Sequence, residues 1–147
     1  MAAKNSQPKK SISVSRLKDR ADFIKARQGA RSHERAFVLQ LWDRKTDSAE
    51  SGLVGDDLRV GFTVTKKVGN AVERNRIKRR LREAVRLADL PQASRGKDAV
   101  LIARRNALSD PFDSLVAGVI HGLSSAKMPQ KPGDKHKRRN RHVANQQ

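Results

Sequence analysis

Hydrophobic and polar positions along this chain change period several times, and each change predicts an element. Residues 58–65 (LRVGFTVT) alternate strictly. Leu58, Val60, Phe62 and Val64 face one way and Arg59, Gly61, Thr63 and Thr65 the other, which predicts a β-strand with one apolar face. Past Gly69 the period lengthens. Ile77, Leu81, Ala84, Val85 and Ala88 recur at helical spacing and predict a helix over 71–90. Asn70 is its cap, because the amide oxygen can accept from a first-turn N–H, and Pro91 is its stop. Residues 36–42 (AFVLQLW) predict a second strand, with Phe37, Leu39 and Leu41 toward the core and Ala36, Val38, Gln40 and Trp42 on the other face. Residues 98–104 predict a buried strand. If it pairs parallel beside 58–65, the helix is their crossover.

The flanking segments are less regular. Residues 16–29 predict a short helix with Leu17, Ala21 and Ile24 on one side and Phe23 beside them, capped by Asp19 and ended at Gly29. Residues 110–126 predict the last helix, with Asp110 as cap, Pro111 as first helical position, and Phe112, Leu115, Val116, Val119, Ile120 and Leu123 as the apolar stripe. His121 falls off that stripe, toward solvent. Residues 30–35 read as a polar connection carrying a surface His33, and residues 43–57 as a long acidic hairpin loop. Residues 1–14 and 127–147 are polar and basic, without a core pattern, and are expected to be disordered tails around one domain, 15–126.

Charge changes the picture most. The 147 residues carry a net charge of +18, which adds nothing to folding and points to a polyanionic partner. The central helix is densely charged: only Glu73, Glu83 and Asp89 offset its seven basic residues. Arg79, Arg82 and Arg86 face away from the apolar stripe, with Asn75 and Lys78 nearby and Arg74, Arg76 and Arg80 flanking it. A solvated basic face is the plain alternative. The arginine-rich composition favours phosphate, which the planar guanidinium grips in two places. Lys66 and Lys67 sit beside the helix N-terminus, where free N–H groups also attract anions.

Several chemistries are excluded or unsupported. The chain has no cysteine, so thiolate metal sites and disulfides are absent. No apolar run approaches the roughly 20 residues that span a bilayer. The opening MAAKNSQPKKS has no secretory apolar region, and a cytoplasmic protein is expected. His33, His121, His136 and His142 lack metal-ligand spacing. No carboxylate pair suggests acid–base catalysis, and no catalytic residue is expected on the protein. With four Phe, one Trp and no Tyr, base stacking is limited.

The string Lys66, Lys67, Gly69, Asn70, Ala71, Val72, Arg74, Asn75, Arg76, Lys78 and Arg79, set between a strand and a helix, closely resembles the signature of the bacterial ribonuclease P protein component. The resemblance runs from about residue 16 to 123. It implies a compact α/β two-layer sandwich in the order α-β-β-β-α-β-α with a basic crossover helix. The pattern above provides only two strands before that helix. The third belongs near residues 31–37 or in a split of the hairpin region. The resemblance also implies a protein subunit of ribonuclease P that binds the catalytic RNA and the 5′ leader of precursor tRNA. The RNA would hold the catalytic Mg²⁺ and perform the hydrolysis, with one protein per RNA and no membrane. On this reading Lys66, Lys67, Asn70, Arg74, Asn75, Arg76, Lys78, Arg79, Arg80, Arg82 and Arg86 meet RNA. Phe23, Arg27, Val38, Gln40, Trp42, Thr63, Thr65 and Arg104 form the leader cleft. A structural ribosomal protein or a general RNA chaperone would share the charge and the tails, without a reason for this turn-and-helix string.

Two positions depart from the family pattern. Arg27 stands where the family often has a second aromatic, and Gln40 where it often has a tyrosine. Stacking is worth about 1–3 kcal/mol per base, so the contact here is expected to lean on charge and hydrogen bonds. Arg27→Phe and Gln40→Tyr should each make leader cleavage less sensitive to salt. An unchanged salt profile in both would count against that.

Overall fold

The computed structural model describes residues 12–46 and 55–127. In chain order the elements are β1 (Val14–Arg16), α1 (Arg20–Arg27), β2 (Ala30–His33), β3 (Phe37–Asp43), β4 (Leu58–Thr63), α2 (Ala71–Leu87), β5 (Lys97–Ala103), α3 (Asn106–Ser109) and α4 (Phe112–Ser125). From α1 onward this is the expected α-β-β-β-α-β-α order, with a leading strand and the short α3 added. The strands form one sheet in the order β1-β4-β5-β3-β2. β4 runs parallel to both β1 and β5, while β3 is antiparallel to β5 and β2.

Alternation decides which face each strand buries. Phe37, Leu39 and Leu41 of β3, Leu58 and Val60 of β4, and Ala99, Leu101 and Ala103 of β5 form the main core against Ile77, Leu81, Ala84 and Val85 of α2 and Leu115, Val119 and Leu123 of α4. Burial of a large aliphatic side chain stabilises by about 1.5–3 kcal/mol, so this layer carries most of the apolar driving force. The opposite face is partly covered by α1. There Leu17, Ala26 and Val100 are buried, with Phe23, Trp42 and Ile102 packed around them.

Several expectations change. The third strand is β2, within the stretch read as a polar connection; it lies at the sheet edge and carries no large apolar side chain to bury. Residues 43–57 do not close a hairpin, since β5 lies between β3 and β4; residues 47–54 of that connection lie outside the described residues. The first helix begins at Arg20 rather than 16, because β1 takes the preceding residues and Leu17 N–H donates to Val60 O at 3.0 Å. Its buried side carries Ala26 and half-buried Phe23, while Ala21 and Ile24 are exposed. Asp19 holds the cap position, but its side chain makes no cap hydrogen bond. α2 ends at Leu87, three residues early. Asp110 sits between α3 and α4, its carboxylate 3.3 Å from Arg35, and Pro111 takes the cap position of α4. Val14 is already paired, ahead of the expected boundary. Lys127 exchanges backbone hydrogen bonds with Arg31, at 2.7 and 2.9 Å, so pairing reaches into the expected tail. The rest of both expected tails, residues 1–11 and 128–147, lies outside the described residues.

One buried carboxylate ties these pieces together. Asp98 of β5 is 1% exposed. It accepts from Arg44 Nη1 at 2.7 Å and from Arg59 Nε and Nη2 at 2.7 and 2.6 Å. Arg44 also reaches the carboxylate and carbonyl of Asp57, and Arg59 lies 3.5 Å from Asp22 of α1. A hydrogen bond from Ser15 of β1, then the charges of Arg44 and Arg59, hold the Asp57 carboxyl below its ordinary value against the opposing effect of burial. Removing one member of a buried ion pair leaves its partners desolvated and uncompensated. Asp98→Ala should therefore lower unfolding free energy by about 3–5 kcal/mol in urea titration. Asp57 has a folded pKa below its unfolded value of 3.8. Its contribution is thus present above that pH and is lost as pH falls through the lower folded value, so Asp57→Asn should flatten the acid limb of the stability curve.

Candidate RNA interface

The basic segment begins where β4 ends. A 3-10 turn, Lys66–Val68, leads through Gly69 to Asn70, the N-cap of α2. The Asn70 side chain accepts from Glu73 N–H at 2.9 Å, and Glu73 Oε1 accepts from Asn70 N–H at 3.1 Å. This reciprocal capping box satisfies two donors that a helix start otherwise leaves open. Lys66 and Lys67 are exposed beside the positive end of the helix.

The basic residues of α2 divide into free and engaged groups. Asn75, Arg76, Arg79 and Arg82 are exposed and Lys78 is half-buried; the four basic ones have no acidic partner among the described residues. Val72, Asn75, Arg76 and Arg79 line a shallow depression. Val72 itself is 77% exposed, large for an apolar side chain on a free surface. Arg74 is half-buried, and its Nε has no hydrogen-bond partner among the described residues. Arg86 is held by Glu83 one turn back. Arg80 points inward: Nη1 donates to Ala107 O at 2.6 Å and Nη2 to Asp110 O. Its charge thus closes the carbonyl end of α3.

Strand register sorts the second set of predicted residues into three rows on the α1 side of the sheet. The first row holds Arg59, Asp98 and Trp42; the second Gly61, Val100 and Gln40; the third Thr63, Ile102, Val38 and His33. α1 covers the first two. Phe23 lies directly over Gly61, where a Cβ would stand 2.5 Å from the ring's Cζ. Glycine there makes room for the ring. Gln40 is consequently only 5% exposed, and Trp42 is half-buried at the far end. Arg27 is exposed at the end of α1. The third row stays more open. Beyond it stands exposed Arg104, 3.4 Å from His33 Nδ1. Thr65 has left the strand for the cap position of the 3-10 turn. Ile102 and His33 were missed as cleft residues. The signal was available in parity for Ile102, two positions from Val100 and from Arg104, but His33 depends on a pairing that only β2 reveals.

Both surfaces therefore meet at one end of the molecule. β4 and β5 are parallel, so Thr63 with the following lysines and Ala103 with the following arginines leave the sheet together. Crevices at the carboxyl ends of parallel strands are where open α/β sheets bind ligands.

A family model for ribonuclease P matches residues 13–127. The chain belongs to the ribonuclease P protein family. Ribonuclease P protein components from Brucella suis and Bartonella quintana are 38% and 42% identical to it over 122 and 125 residues, covering 83% and 84% of this chain and 86% of each relative. The solved ribonuclease P protein of Staphylococcus aureus is similar at 32% identity and a TM-score of 0.56, covering 74% of this chain and 92% of that one. That of Thermotoga maritima is similar at 26% identity and 0.56, covering 73% and 93%. The ribonuclease P protein family serves 5′ maturation of tRNA as the protein part of a ribonucleoprotein. No helix among the described residues is long and apolar enough to cross a membrane.

The split between engaged and free arginines is testable. Arg80→Ala should lower thermal stability, because it uncovers the carbonyls of Ala107 and Asp110, at a cost of about 1–3 kcal/mol. Arg79→Ala should leave the melting temperature unchanged, weaken RNA binding and reduce the salt slope by about one. Melting curves and salt-dependent affinities of the two variants check both halves.

Proposed function

We propose that this chain binds the catalytic RNA of ribonuclease P through the basic turn and the exposed face of α2, and holds the single-stranded 5′ leader of precursor tRNA along the open third row of the sheet. The observation that carries this is the juxtaposition at the carboxyl ends of β4 and β5. The capped string from Lys66 to Arg79 and the row of Thr63, Ile102 and Val38 share that edge, with Arg104 beside them. Lys66, Lys67, Arg76, Lys78, Arg79 and Arg82 contact phosphates, and the half-buried Arg74 adds the exposed part of its guanidinium. Asn70 and Asn75 add hydrogen bonds. Phe23, over Gly61, offers a ring edge to a base, while Arg27 and Arg104 hold the leader's backbone. Gln40 and Trp42 support α1 from beneath, and Thr65 and Arg86 flank the surface.

On this reading the RNA subunit performs the hydrolysis with its bound Mg²⁺, one protein serves one RNA, and the particle works in the cytoplasm. Among the described residues no group of three His, Asp or Glu side chains is arranged to hold a metal ion, and no step is derived through a protein-bound ion. The protein's contribution is electrostatic and geometric. Its cations replace counterions on two RNA chains that would otherwise repel each other, which lowers the Mg²⁺ needed to bring substrate and catalyst together.

Processing of a 5′-leader precursor tRNA by a bacterial ribonuclease P RNA at low Mg²⁺ tests this directly. The wild-type protein should restore cleavage, and Arg74→Ala/Arg76→Ala should not. The double variant should also lose about two units of salt slope. Tight RNA binding without rescue would instead favour a ribosomal or chaperone role. Rescue by both proteins would move the essential contacts off α2.

A further inference from the structure

Arg105 lies outside both predicted residue sets, yet it joins them. From the end of β5 its guanidinium reaches back over the basic turn. Nη1 donates to Val68 O at 3.0 Å and Nη2 to Glu73 Oε2 at 2.7 Å. The other Glu73 oxygen accepts from Asn70 N–H. A single fork thus grips the last carbonyl of the 3-10 turn and the carboxylate of the capping box, across sequence separations of 37 and 32 residues.

Gly69 lies beneath this clamp. A Cβ there would stand 2.7 Å from both Arg105 Nη1 and Glu73 Oε1. Its φ of 167° is ordinary extended backbone, so no left-handed conformation calls for the glycine; a side chain there would push against the two flexible ends of the clamp itself. The Arg105 hydrogen bond, and then the Asn70 N–H, hold the Glu73 carboxyl below its ordinary range. That direction is the one an ion pair with Arg105 imposes.

We propose that Arg105 is a positioning residue for RNA binding: it fixes the turn from Lys66 to Asn70 against the end of β5 and masks the one acidic side chain in the first turn of α2. The inference rests on reading this surface as RNA-binding. The pair is solvent-exposed, 57% at Arg105 and 28% at Glu73, and exposed ion pairs add little to global stability. Its effect therefore falls on the geometry and charge of the turn. Without Arg105, Lys66 and Lys67 are no longer held at a set distance from the α2 N-terminus, and an unmasked carboxylate faces incoming phosphate.

The rival role is a direct phosphate contact by Arg105, and the two differ in sign at Glu73. Affinity of the full chain for an in vitro transcribed bacterial ribonuclease P RNA would be measured across salt. The variants are Arg105→Ala, Arg105→Lys, Glu73→Gln and the Arg105→Ala/Glu73→Gln double, with Arg76→Ala as control and a melting curve for each. Glutamine keeps the capping box. If Arg105 positions the turn, Arg105→Ala weakens binding roughly fivefold with an unchanged salt slope and melting temperature. Glu73→Gln also weakens binding, although it adds a net positive charge. The double variant binds no more weakly than Arg105→Ala, and Arg105→Lys recovers only part of the loss, because an ammonium lacks the planar fork. Stronger binding by Glu73→Gln, with a slope reduced by about one in Arg105→Ala, overturns the proposal in favour of direct contact. Unchanged affinity in Arg105→Ala with a loss in Arg76→Ala overturns the clamp alone. No loss in Arg76→Ala overturns the RNA-binding reading of the surface itself.

Discussion

Two adjacent parallel strands can be joined only by a connection that travels back along the sheet. Here β4 and β5 are such a pair, and α2 is the connection. Nearly everything functional follows from that constraint. The helix must lie on the sheet, so Ile77, Leu81, Ala84 and Val85 are buried while Arg76, Arg79, Arg82 and Arg86 are turned outward. Its N-terminus must start where β4 ends, so the lysines, the asparagine cap and the helix dipole converge. The end of β5 must arrive at the same edge, which brings Arg104 and Arg105 beside them.

A chain with so large an excess of positive charge has few acids, and it uses several to tie distant segments together, only Asp98 among them fully buried. Asp98 holds Arg44 and Arg59 beneath α1, and Asp57 joins Arg44 from the start of β4. Glu73 holds Arg105, and Glu34 meets His121 across β2 and α4 at 3.0 Å. These pairs join segments distant in sequence. Of the exposed cations on α2, Arg76, Arg79 and Arg82 remain unpaired among the described residues. The division separates two jobs that composition mixes together: internal ties consume some arginines, and the rest are left for phosphate. Arg80 and Arg79, neighbours in the chain, fall on opposite sides of it.

The two faces of the sheet show a similar division. The α2 and α4 side is a continuous apolar layer. On the other side α1 covers a smaller cluster and stops short of the third row. The close seat of Phe23 on Gly61 sets how low α1 lies. It therefore sets how much of Gln40 and Val100 is hidden and where the open row begins.

Much of this was legible in the sequence. Strict alternation marked β4 and the core face of β3, helical spacing marked the buried stripe of α2, and Asn70 with the string to Arg79 marked the cap and the family. These signals are local: a strand's two faces, a helix's stripe and a cap each follow from residues within a few positions of one another. Tertiary structure decided the rest. β1 and β2 are edge strands with little apolar surface to bury, so they exist because a neighbour supplies backbone partners, and no periodicity announces them. The strand between β3 and β4 comes from later in the chain, which no loop composition could reveal. The burial of Gln40, the inward turn of Arg80 and the reach of Arg105 to Val68 depend on packing between segments tens of residues apart. The sequence by itself determined that a capped, arginine-rich helix follows a strand. Only the folded sheet decided which arginines remain free, because pairing partners are fixed by distance in space and not by position along the chain.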